Sequence, residues 1–182
     1  VWVGGVQGTV LHWNGTAWSD WSLDIEEAIW GIYAVSPTEV YAVGGQSGFG
    51  GDTAVLLRLE GESWAPIDLP PEVEGLSNLF KVHHDGTDLW MVGFQGVALR
   101  GDGQTMAAVP TGTTADLVTA NRPNEGGPLV VVGGRGTGVI AEVDGERLSV
   151  TTQTQAGLNG VQVYPSGNAV VVGDCLLYTS DA

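Results

Sequence analysis

The chain has 182 residues but only one cysteine, one lysine and three histidines. Each scarcity excludes something. Cys175 alone cannot build a disulfide framework or a thiolate metal site. Six basic residues stand against 21 acidic ones, for a net charge of −15. Nucleic acid and anionic membrane surfaces are both recognised by clustered Lys and Arg, so neither is an expected partner. No apolar run approaches the ~20 residues of a spanning helix, and membrane insertion is not expected. No window has a helical period flanked by caps; Asp24–Ala28 could make one turn at most. Hydrophobic residues still make up 43% of the chain, enough for a packed core rather than disorder.

What the sequence does contain is a phrase that returns. Trp2-Val3-Gly4-Gly5 comes back as Tyr41-Ala42-Val43-Gly44-Gly45 and Leu89-Trp90-Met91-Val92-Gly93. It then returns as Val130-Val131-Val132-Gly133-Gly134 and Val170-Val171-Val172-Gly173. From Gly4 to Gly44, Gly93, Gly133 and Gly173 the steps are 40, 49, 40 and 40. A period near 40 marks a repeat architecture.

Within each repeat a second marker keeps register. Asn14-Gly15, Glu60-Gly61, Asp102-Gly103 and Asp144-Gly145 are each followed, three residues after the glycine, by a large apolar residue: Trp18, Trp64, Met106 and Leu148. Asn-Gly and Asp-Gly supply the positive φ angles of two-residue hairpin turns, and the apolar residue begins an inward-packing returning strand. A further apolar segment closes each unit: Ile29–Val35, Leu79–Val82, Leu117–Ala120 and Val161–Tyr164. The near-continuous Val-Gly run suits a strand buried on both faces.

Four short strands per repeat of this length describe a β-propeller blade. A parallel β-helix needs a much shorter coil, and a β-sandwich needs no regular return of one phrase. The expected fold is therefore all-β: a β-propeller segment over residues 1–174, with about four four-stranded blades, belonging to a larger propeller. The repeats are about 1–39, 40–88, 89–128 and 129–168, with a partial copy at 169–174. The Val-Gly strand is expected innermost, and open blade edges are expected to promote self-association. Residues 175–182 break the pattern. Their string, Cys-Leu-Leu-Tyr-Thr-Ser-Asp-Ala, resembles the translation of a transposase-end sequencing adapter and is read as non-native.

Comparing a residue with its counterparts in other repeats sorts the candidate sites. His12 aligns with Arg58, Arg100 and Glu142, and reads as a solvent-facing strand residue. His83-His84 aligns with Tyr33-Ala34, Thr119-Ala120 and Gln162-Val163, and Asp85 and Asp88 come next along the chain. His84, Asp85 and Asp88 are weak metal candidates, but adjacent strand residues point to opposite faces and would not share one ion. Gly134-Arg135-Gly136-Thr137-Gly138 resembles a phosphate cradle, yet it feeds a strand, not a helix N-terminus. The same loop carries Gln7, Gln46, Gln95 and Arg135 in successive repeats. These residues, with Phe49 in the glycine-rich excursion of the second repeat, form the expected binding surface at a channel mouth. Asn14-Gly15-Thr16 matches a glycosylation acceptor but already serves the hairpin. Trp18, Trp30, Trp64 and Trp90 fall at core-like positions.

Val40-Tyr41-Ala42-Val43-Gly44-Gly45, with Glu60-Gly61-Glu62-Ser63-Trp64 and Ala65-Pro66-Ile67-Asp68-Leu69-Pro70, resembles a kelch repeat with its double glycine and later tryptophan. Val1–Trp18 is similar to repeats of large bacterial surface or secreted propellers of kelch-like or sialidase-like type. The sialidase aspartate box (Ser-x-Asp-x-Gly-x-Thr-Trp) is not met, because Asn14-Gly15-Thr16-Ala17-Trp18 is one residue too short. No arginine triad or nucleophilic tyrosine can be assigned. The resemblance implies a non-catalytic binding or scaffold module of a bacterial secreted or surface protein, with a protein or glycan ligand and no cofactor. The alternative is part of a carbohydrate-active enzyme whose catalytic residues lie in other blades.

Overall fold

The structure is a computed structural model that describes residues 1–46, 53–123, 126–144, 146–154, 156–174 and 177–180. Eighteen strands among these residues form five antiparallel sheets. The first holds β1 (Trp2–Gly4), β2 (Val10–Trp13) and β3 (Trp18–Asp20). The second holds β4 (Ala28–Ser36), β5 (Glu39–Gly45), β6 (Val55–Glu60) and β7 (Ser63–Pro66). The third holds β8 (Leu79–His84), β9 (Leu89–Gly93), β10 (Ala98–Gly101) and β11 (Met106–Ala108). The fourth holds β12 (Leu117–Asn121), β13 (Val130–Gly133), β14 (Gly138–Asp144) and β15 (Arg147–Thr154). The fifth holds β16 (Leu158–Val163), β17 (Ala169–Gly173) and β18 (Leu177–Ser180). Strands succeed one another in sheet order, as hairpin-linked blades do. The chain is a β-propeller segment, and its only helical turns are short 3₁₀ pieces at Pro71–Val73 and Phe94–Gly96 among the described residues.

The recurring phrase is the second strand of each blade, and this corrects the expectation that it lies innermost. Each of β5, β9, β13 and β17 is hydrogen-bonded on both sides, while β4, β8, β12 and β16 form the free inner edge. Those inner strands also pack against one another from blade to blade. The segments read as closing each repeat therefore open the next sheet. The short turn at 37–38 joins Ile29–Val35 to the phrase as a hairpin, so chain neighbours pair.

Burial on both faces explains the apolar run. Tyr41 and Val43 face the third sheet, while Ala42 faces the first. Met91 packs against the second sheet, whereas Trp90 and Val92 join the fourth. Val131 turns toward the third sheet, and Val130 and Val132 toward the fifth. Burying one such aliphatic side chain contributes ~1.5–3 kcal/mol. The glycine that ends the phrase is set by space. A Cβ at Gly93 or Gly133 would overlap the backbone carbonyl of Asn78 or Asp116 at the start of the neighbouring inner strand.

Two turn types are interchanged relative to the sequence reading. At Asn14 and Asp102 only the glycine has positive φ; the side-chain oxygen instead accepts two backbone N–H bonds, each of 2.9 Å. Positive φ at two consecutive residues occurs at Gln7-Gly8 (53° and 64°) and Gln95-Gly96 (54° and 76°). Those are the primed two-residue turns, and they join the second strand to the third. The glycine of Asp144-Gly145 and the whole 47–52 excursion, Phe49 included, lie outside the described residues.

The tryptophans divide. Trp90 is buried and Trp64 packs against the core between the first and second sheets. Trp18 and Trp30 keep 54% and 46% of their surface exposed, contrary to their core-like reading. Trp18 rests on Trp13, and Trp30 is pushed outward because it is the residue skipped by an irregularity in the β4–β5 ladder. Of the C-terminal string, Leu177–Ser180 pairs with β17 in the fifth sheet.

Candidate functional site

The inner strands carry the same defect at the same place. In each of the four sheets with a described inner strand the ladder skips one residue: between Ile29 and Gly31, Leu79 and Lys81, Leu117 and Thr119, and Leu158 and Gly160. Such bulges bend a strand and re-aim the side chains beyond them. Past the bulge, Tyr33, His83, Asn121 and Gln162 occupy one register. They sit opposite Tyr41, Trp90, Val130 and Val170, each three residues before the phrase glycine. The four side chains thus form a row across the inner wall, near the turns that link first to second strands.

The row is stitched from blade to blade. Nε2 of His83 accepts a 3.0 Å bond from the backbone N–H of Arg122, just past the end of β12 in the next blade. Asn121 Oδ1 accepts a 2.7 Å bond from the backbone N–H of Val163 in the sheet after. Arg122 and Val163 are equivalent positions, so His83 and Asn121 repeat one interaction with different chemistry. Tyr33 meets the His83 ring edge-on, with centroids 5.2 Å apart. Burial, with Lys81 nearby, pushes the His83 imidazole down to about 4. It is neutral at neutral pH, as an acceptor at Nε2 requires.

Around this row opens a cleft of about 430 Å³, lined by Tyr33, Lys81, Asn121, Arg122, Gln162 and Tyr164 among others. Lys81 lies on the same strand face as His83, two residues earlier. Its side chain is half-buried, and burial lowers its pKa. Arg122 donates through one terminal nitrogen to the Asp85 backbone carbonyl at 2.7 Å and lies 3.5 Å from the Asp85 carboxylate. Its Nε is buried with no hydrogen-bond partner.

The weak metal candidates sit at the end of β8 and in the adjoining turn, and each already holds a structural partner. His84 Nδ1 accepts from the Gly86 N–H at 3.2 Å. Asp85 accepts from Thr87, Asp88 and the Trp90 indole. Burial would raise the Asp85 pKa, but these bonds and Arg122 hold it below the usual carboxylate range. Asp88 pairs with Arg100 at 2.6 Å, and that guanidinium lies 5.2 Å from the centre of the Trp90 ring. No group of three or more metal-ligating side chains occurs among the described residues.

Gln7, Gln46, Gln95 and Arg135 lie at the opposite end of the blades, in the loops after the second strands, and all are exposed. Two are brought together by Asp116. One of its carboxylate oxygens accepts the Gln95 N–H at 3.0 Å, and the other pairs with Arg135 at 3.1 Å. A second cleft of about 370 Å³ opens there between Asp116, Arg135, Thr137 and Gln153. His12 is not simply solvent-facing: its ring stacks on Trp2 at 4.2 Å.

Sequence comparison missed the inner row because it matched His83 to Thr119 where the ladder matches it to Asn121. Residues 37–38, 85–88, 122–129 and 164–168 separate first from second strands, so a ruler laid from the glycine slips backwards across these unequal lengths. One signal was available. The only lysine and one of five arginines fall in or just after first-strand segments of an otherwise acidic chain.

No family model matches the sequence, and no curated protein matches it. Solved structures do share the fold. YCF48 bound to a D1 peptide superposes with a TM-score of 0.66 at 18% identity, over 94% of this chain and 56% of that one. The extracellular domain of BT4673 from B. thetaiotaomicron gives 0.67 at 11% identity, over 98% and 24%. A candidate 6-phosphogluconolactonase from Bacteroides uniformis gives 0.60 at 12% identity, over 99% and 66%. The chain spans about half the length of the YCF48 chain. At these identities the likeness defines the class of fold, a β-propeller, and no more.

Proposed function

We propose that this chain is the ligand-binding part of a non-catalytic propeller module, and that it takes a peptide segment of a protein partner along its inner wall. The observation that carries the reading is the cleft beside the Tyr33–His83–Asn121–Gln162 row, to which four consecutive blades contribute. A concave wall assembled from several rigid strands is a pre-organised surface. Two titratable groups beside it, His83 and Asp85, are held in structural bonds, which commits them to the scaffold rather than to proton transfer. A fold neighbour holds a peptide, which supports a peptide here by analogy of fold. An extracellular domain among the neighbours supports an extracytoplasmic setting in the same limited way. The kelch-like or sialidase-like resemblance of the repeats agrees with a bacterial secreted or surface protein.

Screening the 182-residue chain against an immobilised random peptide library and a glycan array tests this. Peptide capture that is lost on Tyr164→Ala and Gln162→Ala agrees with it. Glycan capture without peptide capture contradicts it and favours the carbohydrate-active alternative.

A further inference from the structure

We infer that the inner-wall cleft contains a carboxylate subsite, in which Lys81 and the guanidinium of Arg122 hold an acidic group of the bound peptide. The inference rests on the peptide-binding reading and names the chemistry it would recognise.

Three observations converge on it. First, the charge of the cleft runs against that of the molecule. The chain carries a net charge of −15, yet this cleft is lined by two cations and by no carboxylate among the described residues. Second, the cations here are incompletely used. Arg100 is paired with Asp88 and Arg135 with Asp116. Lys81 has no hydrogen bond or ion pair with any described residue, although its side chain is half-buried. Arg122 spends one terminal nitrogen on Asp85, while its Nε is buried and unpaired. The Arg122 side chain keeps 30% of its surface exposed, so the remainder of the guanidinium is open to a guest oxygen. Third, the neighbours suit an anion. His83 is a neutral acceptor already bound at Nε2, and Asp85 is largely covered with its oxygens engaged. Both are kept from competing for the cations. Asn121 and Gln162 add amides to the rim.

The donor types define the ligand chemistry. Guanidinium presents its Nε–H in a fixed plane, and an ammonium supplies a compact, strongly hydrated charge with three donors. A carboxylate has two oxygens and can meet both at once. Because water is partly excluded, the charge-assisted bonds exceed those of a surface pair. The acidic group can be an Asp or Glu side chain, or the C-terminal carboxylate of the partner.

The Arg122 Nε–H resonance of the ¹⁵N-labelled 182-residue chain reports directly on the unpaired donor. It would be tracked during titration with three probes. These are acetyl-Gly-Glu-Glu-Gly-amide, acetyl-Gly-Gln-Gln-Gly-amide, and acetyl-Gly-Gln-Gln-Gly with a free C-terminus. The expected result is a saturable shift with the first or third probe, identifying a side-chain or terminal carboxylate respectively. The amidated glutamine peptide should bind at least about ten-fold more weakly. Lys81→Met, which keeps the stem, should weaken the acidic probe about ten-fold, and Lys81→Arg should restore part of the loss. Unchanged amide shifts away from the cleft verify that both variants fold. Equal binding of the neutral amidated peptide, or indifference to Lys81→Met, overturns the carboxylate subsite and leaves the peptide-binding reading standing. No shift at any cleft resonance with any peptide overturns both.

Discussion

The two ends of the inner strands are built from the same repeats but treat their cations differently. At the end bearing Gln7, Gln46 and Gln95, Arg135 faces Asp116, whose second oxygen is occupied by the Gln95 N–H. Charge and strand geometry are balanced within the protein there. At the other end, Lys81 and Arg122 Nε meet no acceptor among the described residues, and the surrounding polar groups are spent on blade-to-blade bonds. Equivalent positions in a repeat protein are therefore not equivalent in what they leave over. Unsatisfied donors, more than polar composition, distinguish the two ends.

The scaffold shared by the two ends is the most sensitive point. Gly133→Val places side-chain atoms against the Asp116 carbonyl and the Leu117 Cα. Because Asp116 serves the loop end and β12 carries Asn121, both clefts should fail together. A loss of about 3 kcal/mol in urea unfolding is expected, typical of forced overpacking. Asn121→Ala should damage only the cleft end. It strips the acceptor from the Val163 N–H and should cost about 1–3 kcal/mol in the same assay.

Acid should also separate the ends. His83 in the folded chain sits at about 4, below its ordinary value of 6.5. The unfolded chain therefore binds that proton first as pH falls. The stability His83 contributes is complete above 6.5 and is lost progressively between 6.5 and about 4. Asp85 is also depressed, but its contribution falls away only at lower pH. Melting temperature should decline across the histidine window, and His83→Gln should flatten that decline. The smallest effect is expected at the pair whose cation is exposed: Arg135→Ala should change stability by no more than about 1 kcal/mol.

Much of the architecture was legible in the sequence because one physical demand recurs. A strand packed between two sheets must be apolar on both faces, and a glycine must end it where a neighbouring carbonyl approaches. Tyr41 to Gly44 and Val130 to Gly133 carry both demands in four residues. The position of that strand in its sheet was not legible, since hydrophobicity reports burial and not which neighbour does the burying. Turn chemistry was half legible. Asn14 and Asp102 were visible as turn residues, but their side chains act as acceptors, while the positive backbone angles fall on Gln7 and Gln95. The candidate site was least legible. Its row depends on a bulge in each inner strand and on turns of unequal length, and neither leaves a pattern in residue type. Asn121 becomes the counterpart of His83 only when the ladder is known.

The central claim is that the ligand meets the inner wall at the Lys81–Arg122 end. An amide chemical-shift map would test it most directly. The 182-residue chain would be titrated with the tightest-binding peptide from the random library. Perturbations should cluster at residues 33, 81–85, 119–122 and 162–165, with the loops at 7, 46, 95 and 135 unmoved. Perturbations confined to those loops, with the inner row silent, would contradict the claim.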